Sequence, residues 1–320
     1  MSAPAHRGTW GDWSQLRERG SLLGLRFTVA CYRHFGWLLS MPLIHAVVGY
    51  FFLTDRAGRR ASRDYLHRID ARLGQAPHAW RPGLRESFLH YRDFALAITD
   101  RIALWGGREK RFSFEWRGQE PLLRLLSQRR GALLLGAHLG SFDALRVLSH
   151  RDGVRVNVLM YTRHAPHINR IFAELSPDVD LRVIHAEPDS VRTAFEIRAC
   201  IDRGEFVAIL ADRAEPLARR RTLRVDFLGA PARLPEAPFL LSVVLGCPTF
   251  LTVALRRGRR NYAVIAEPLQ DERSPARRGK REEQVLELAR RYATQLEQHC
   301  LSAHRQWFNF FDFWEAGEPG

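Results

Sequence analysis

The sequence predicts an α/β fold, a mostly parallel sheet flanked by helices, preceded by an N-terminal hydrophobic helical segment of membrane-anchoring type. Three observations carry this reading. From residue 131 onward, short apolar runs of strand type alternate with stretches of helical spacing, the pattern of strands joined by crossover helices. Several of these runs are continuously apolar, as strands covered on both faces must be. Upstream, two apolar stretches run almost end to end between residues 21 and 53, with arginines on both flanks.

The upstream segment comes first in the chain. The first eight residues are small and polar, with no leader-like pattern, so no cleavable signal peptide is expected. Trp37 to Leu53 is 17 residues without a formal charge, at the lower edge of what crosses a bilayer. Pro42 and His45 weaken a span, and basic flanks on both sides give no orientation signal. A helical hairpin or amphipathic pair lying in one leaflet fits at least as well as a span, with Trp37, Tyr50, Phe51 and Phe52 at the interface. A buried pair of core helices is the competing reading. Residues 1–60 are assigned to this segment and residues 61–320 to the α/β domain.

Helical spacing continues from Arg59 to Gly106, broken by a Pro-Gly stretch at 79–83. Residues 112–116 alternate like a strand and 120–128 read as a helix. Strands follow at 131–137, 154–161, 181–186 and 205–212, with helices at 141–149, 167–175 and 191–204 between them. Residues 247–258 and 261–268 read as a closing hairpin, and Arg281 to His304 as a long helix. The four cysteines are far apart and show no metal-ligand or disulfide spacing.

Charge sets a sign for the partner. Forty-nine Lys and Arg against 35 Asp and Glu leave a net +14, almost all from arginine, which suits an anionic surface or an acidic protein. No helix-turn-helix, zinc-finger or RNA-binding aromatic motif accompanies that charge, so a nucleic-acid partner is not expected. No G-x-S-x-G elbow is present either, which argues against a serine hydrolase.

Chemistry concentrates in residues 136–143, GAHLGSFD. His138 and Asp143 are five residues apart, and on one continuous helix they would be about 140° apart and unable to meet. They meet if a strand delivers His138 at its C-terminal end, Gly140 turns the chain, and Ser141 caps a helix whose first turn carries Asp143. Such a pair is a base held by a carboxylate, the imidazole taking a proton from an acceptor hydroxyl. The backbone N–H groups of Gly140 and Ser141 are the expected oxyanion donors. Taken alone, His-x4-Asp is weak, and a histidine satisfied by local hydrogen bonds explains it as well.

Two further blocks lie downstream in a fixed order. An apolar run ends in Asp212-Arg213, and a Phe-Leu-Gly turn at 227–229 is followed by Leu234-Pro235. With Gly136, His138, Gly140 and Asp143, these blocks resemble the lysophospholipid acyltransferase superfamily, and within it the lipid A biosynthesis (lauroyl/myristoyl) acyltransferase branch. The resemblance extends over residues 10 to 314. WGDWSQLRERGSLLGLR near the start and QWFNFFDFW near the end look like an offshoot of that branch, found in pigment and unusual-glycolipid gene clusters.

The resemblance implies an enzyme on the cytoplasmic face of a bacterial inner membrane, with an acyl-acyl carrier protein or acyl-CoA donor, a lipid or glycolipid acceptor and no cofactor or metal. It implies His138 and Asp143 as the catalytic pair. It places Gly140, Ser141, Arg163, Asp212, Arg213, Gly229, Leu234 and Pro235 around the substrate, Asp212 and Arg213 on the acceptor and phosphate side. One departure stands out: the lipid A enzymes end in a basic segment, this chain in an aromatic one. That weakens the case for a lipid A acceptor. The aromatic run is read as an interfacial belt near the mouth of the site, with a segment folded onto the core as the other reading. Acylation of a pigment or amino-lipid headgroup, on nitrogen or oxygen, is the alternative reaction. A non-catalytic basic membrane-binding protein is the alternative class.

Overall fold

The computed structural model describes residues 40–74, 82–105, 108–141, 155–160, 183–185, 191–213, 221–271 and 280–314. Among them, α1 comprises residues 40–54, followed by α2 (Arg56–Leu73), α3 (Leu84–Trp105), β1 (Ser113–Arg117), α4 (Glu120–Ser127), β2 (Ala132–Gly136), β3 (Val156–Met160) and β4 (Val183–His185). The chain continues through α5 (Val191–Asp202), β5 (Phe206–Leu210), β6 (Thr222–Phe227), β7 (Ala230–Pro235), α6 (Glu236–Leu245), β8 (Thr249–Arg256), β9 (Asn261–Gln270) and α7 (Arg281–Ser302). The helices expected at 141–149 and 167–175 lie outside the described residues, as does the chain before residue 40.

Among the described residues, seven strands form one sheet in the order β1-β9-β8-β2-β5-β3-β4. Every neighbouring pair is parallel except β8 and β9, the expected hairpin. The sheet is therefore mostly parallel, and its continuous apolar strands follow from burial on both faces: all five residues of β2 are buried. Leu133 and Leu135 point to one face, toward the core that α2, α6 and α7 fill with Tyr65, Leu66, Phe239 and Tyr292. Ala132 and Leu134 point to the other, where α4 contributes Leu122 and Leu125. Period-two alternation thus sends one strand's leucines into two separate cores.

A second, two-stranded sheet was not anticipated as strands. β6 and β7 pair antiparallel across Leu228 and Gly229, both at positive φ (51° and 79°), which is the backbone of a type I′ hairpin turn. Pro231 and Pro235 lie in β7 and disguise it, because proline cannot donate to a ladder and reads as a breaker. The Leu228 N–H donates to the Glu297 carboxylate of α7, fixing the turn to the main core.

At the start of the described chain, α1 lies against α3, with Ile44 and Val48 buried beside Tyr91 and with Phe52 and Phe88 packed edge to face. Asp55 ends it, and its carboxylate accepts from the Gly58 N–H and caps α2, which begins four residues before the division expected at residue 60. Among the described residues no helix is long and apolar enough to cross a membrane. The outer face of α1 nevertheless carries Tyr50 and Leu53 at 61% and 74% exposure.

Candidate functional site

The site forms where β2 and β5 end side by side. Their parallel register pairs Gly136 with Leu210, and carrying it two residues further sets His138 against Asp212. The ladder itself extends one step past the strands, since the Ala211 N–H donates to the Gly136 carbonyl. Both apolar runs therefore give out at the same edge of the sheet, and each releases a polar residue there. Loops at the C-terminal ends of parallel strands are where α/β folds place their chemistry.

Asp212 is completely buried and accepts four hydrogen bonds. His138 Nδ1 approaches Oδ1 at 2.8 Å, and the His138 backbone N–H meets Oδ2 at 2.9 Å. Trp307 Nε1 and Asn309 Nδ2 each donate to Oδ2 at 3.1 Å. A carboxylate only accepts, so Nδ1 carries the imidazole proton and Nε2 keeps its lone pair. Among the described residues none bonds Nε2, and the His138 side chain is 28% exposed.

Burial and charge together set the protonation states. Burial pushes the His138 pKa below its ordinary value, aided by the Arg213 cation and opposed by Asp212. The imidazole is thus neutral near pH 7. For Asp212, burial alone would raise the carboxyl, but the charge and hydrogen bond of His138 and the charge of Arg213 outweigh it and hold the acid at about 2. Burial lowers Arg213 to about 10, still protonated at neutral pH.

A C-terminal segment closes the site. After α7, residues 306–309 lie across the loop that carries His138: the Gly140 N–H donates to the Gln306 carbonyl, and the Phe308 N–H donates to the His138 carbonyl at 2.7 Å. The Gln306 side chain pairs with both backbone groups of Arg256 at the end of β8. Arg213 donates to the Asn309 Oδ1 and the Phe308 carbonyl, and its guanidinium sits over the Phe311 ring.

The structure thereby gathers His138, Gly140, Asp212 and Arg213 at one place. Gly140 has φ +72°, and a Cβ there would lie 2.0 Å from the Ala254 carbonyl oxygen, so close backbone approach to β8 explains this glycine. The expectation that the Gly140 and Ser141 amides serve an oxyanion is corrected: the first is bonded to Gln306 and the second to the Ala254 carbonyl at 2.8 Å. Asp143 and Arg163 lie outside the described residues. Gly229, Leu234 and Pro235 belong to the β6–β7 ribbon, where Leu234 is buried in the main core and Phe227 packs edge to face on Trp307. The aromatic ending is folded inward, Trp307, Phe308, Phe313 and Trp314 all being buried, which corrects the interfacial-belt reading.

Sequence reasoning missed the pairing of His138 with Asp212, 74 positions apart, and the donors Trp307 and Asn309. The signal for the first was present, because two apolar runs of equal length each end in a polar residue. Among the described residues no cluster of three or more His, Cys, Asp and Glu side chains forms a metal site. Compared with known families, residues 41–315 match the family described as bacterial lipid A biosynthesis acyltransferase. Among curated proteins, none matches significantly.

Proposed function

Since the chain belongs to the bacterial lipid A biosynthesis acyltransferase family and is an acyltransferase acting on a lipid acceptor, we propose that it moves a fatty acyl group from a thioester to a hydroxyl of a lipid or glycolipid, with His138 as general base. The observation that carries this reading is the imidazole at the end of β2 whose Nδ1 lies 2.8 Å from the Asp212 carboxylate and whose Nε2 is bonded by none of the described residues.

The step balances as follows. The acceptor hydroxyl gives its proton to Nε2 as its oxygen attacks the thioester carbonyl, forming the C–O bond. Collapse of the tetrahedral intermediate breaks the C–S bond, and the imidazolium returns the proton to the departing thiolate. The carboxylate of Asp212 stabilises the imidazolium between these events. Arg213, still cationic and only half-buried, adds a fixed positive charge toward a phosphate or the developing oxyanion.

The donor we propose is acyl-acyl carrier protein, or acyl-CoA, because a net charge of +14 attracts an acidic carrier or a phosphorylated one. We assign residues 1–60 to membrane association and the protein to the cytoplasmic face of the inner membrane, the place where carrier-bound acyl chains and lipid acceptors meet. On the strength of the motif blocks we keep Asp143 as a second candidate, beside Asp212, for the carboxylate that orients His138, Arg163 on the substrate, and Ser141, Gly229, Leu234 and Pro235 at the pocket.

The test is transfer of radiolabelled acyl from acyl-carrier protein or acyl-CoA to lipids in liposomes. Label appearing with the wild type and not with His138→Ala supports the reading, and the mobility of the product identifies the acceptor. Equal transfer by His138→Ala would refute the base assignment.

A further inference from the structure

We infer that Trp307 and Asn309 are positioning residues for the His138–Asp212 pair, so that residues 306–309 form part of the active site through the carboxylate they hold. The inference rests on the reading of His138 as base.

The geometry singles out these two side chains. Asp212 presents two oxygens to four donors, and two of the four come from a segment 95 and 97 residues away. Without them, Oδ2 would keep only the His138 backbone N–H in a site that admits no water-exposed alternative, since Asp212 has no exposed surface. Asn309 does more than donate. Its Nδ2 bonds Asp212 while its Oδ1 accepts from Arg213 Nε, so one amide clips the carboxylate to the guanidinium of the next residue. An amide is the group that donates at one end and accepts at the other; a carboxylate at 309 loses the donor half of the contact and a hydrocarbon loses both.

The segment is itself fixed from the far side. The Ser87 hydroxyl donates to Ser62, Ser62 donates to His90 Nδ1, and His90 Nε2–H donates to the Trp307 carbonyl. His90 is fully buried and its pKa is lowered by that burial to about 3, so the imidazole stays neutral and the direction of this chain does not invert at working pH. Helices α2 and α3 therefore set the height of the Trp307 indole above Asp212.

Two variants each remove one donor to Asp212. Trp307→Phe deletes the indole N–H, and Asn309→Leu deletes the amide clip. Taking a hydrogen-bond donor away from the carboxylate leaves more negative potential at the imidazole, so the His138 pKa rises. The expected result is a fall in kcat of about tenfold or more, with KM little changed, and an acid limb of the kcat profile moved to higher pH. The same upward shift is read without substrate from the pH dependence of diethylpyrocarbonate acylation at His138, followed by mass spectrometry. If either variant fails to fold, the other carries the test, with thermal unfolding measured alongside. Wild-type kcat and an unmoved His138 acylation profile in a folded variant would overturn the inference while leaving His138 as base intact. Full activity of His138→Ala removes the base and the inference with it, and so separates the two failures.

Discussion

In the proposed reaction His138 can act as a base only while it is neutral and only while the proton on its ring sits at Nδ1. Neutrality traces to burial and to the Arg213 cation, which outweigh Asp212, and the tautomer traces to Asp212. The carboxylate takes the Nδ1–H at 2.8 Å, and removing its charge by Asp212→Asn leaves an amide that can present N–H to the ring and hold the wrong tautomer. We expect Asp212→Asn to lower kcat on the order of 10²–10⁴-fold, as for other histidines deprived of an orienting carboxylate. The motif assigns the same job to Asp143, and measuring Asp143→Asn beside Asp212→Asn separates them: if Asp143 orients the ring, the two losses match, and if Asp212 does, only its variant shows the full loss. The sign of the pH dependence follows from burial. Because the His138 pKa is depressed, activity is present above the folded-state pKa and is lost as pH falls through it, with the acid limb below the ordinary histidine value of 6.5. At this scale the sequence singled out His138 and hid its contact with Asp212. His138 announces itself within a short motif, whereas its pairing with Asp212 exists only through the register of two strands 74 residues apart.

Strands and turns hold these residues through positions where a side chain has no room or the backbone has an unusual hand. Gly140 illustrates the first case. A methyl group there would meet the Ala254 carbonyl oxygen at 2.0 Å and Ala254 C at 2.8 Å, both backbone atoms of a central strand that cannot swing aside. Gly140→Ala therefore displaces the loop that carries His138, and we expect loss of most activity together with destabilisation of several kcal/mol, read by acyl transfer and by denaturant unfolding. Gly229 illustrates the second case. It has φ +79° at the hairpin turn but its nearest obstacle is the Arg72 Cδ at an ordinary 3.6 Å, so Gly229→Ala costs only the left-handed backbone, about 1 kcal/mol, read by denaturant unfolding. A loss of activity from Gly229→Ala beyond that small destabilisation is the result expected of a pocket residue, and full activity would remove the turn from the pocket. The elements themselves were mostly legible: β1, β2, β3, β4, β5, the β8–β9 hairpin and α7 lie where the hydrophobic pattern put them. The β6–β7 ribbon and α6 were not, since prolines interrupt both patterns and only tertiary packing, the ribbon lying on α7 and α6 on the core, makes such segments regular.

The proposed reaction requires the whole molecule to bring a soluble thioester and a lipid to one histidine, and its surface offers a means. On one side α1 is packed on α3 through Ile44 and Val48, which leaves its opposite face to solvent. That face exposes Tyr50 and Leu53, while Arg56, Arg59, Arg60 and Arg63 follow in the first turns of α2. An apolar edge beside a basic row is the arrangement by which a helix lies on an anionic bilayer without crossing it. The absence of a spanning helix among the described residues is compatible with this and also with an anchor in the first 39 residues, so the two contributions need to be measured apart. In sedimentation with vesicles containing anionic phospholipid, the full chain is expected to bind, and Leu53→Glu with Tyr50→Glu to weaken binding by about tenfold or more, given the apolar area the two side chains would otherwise bury. Raising salt should weaken it further through the arginines, since only the electrostatic part is screened. If the double variant binds as the wild type does at every salt concentration, α1 is not the contact and the residues before 40 must supply it. If it loses membrane binding yet still acylates an acceptor presented in detergent, membrane docking and chemistry are separate properties of this chain, with the former belonging to α1 and the latter to the ends of β2 and β5.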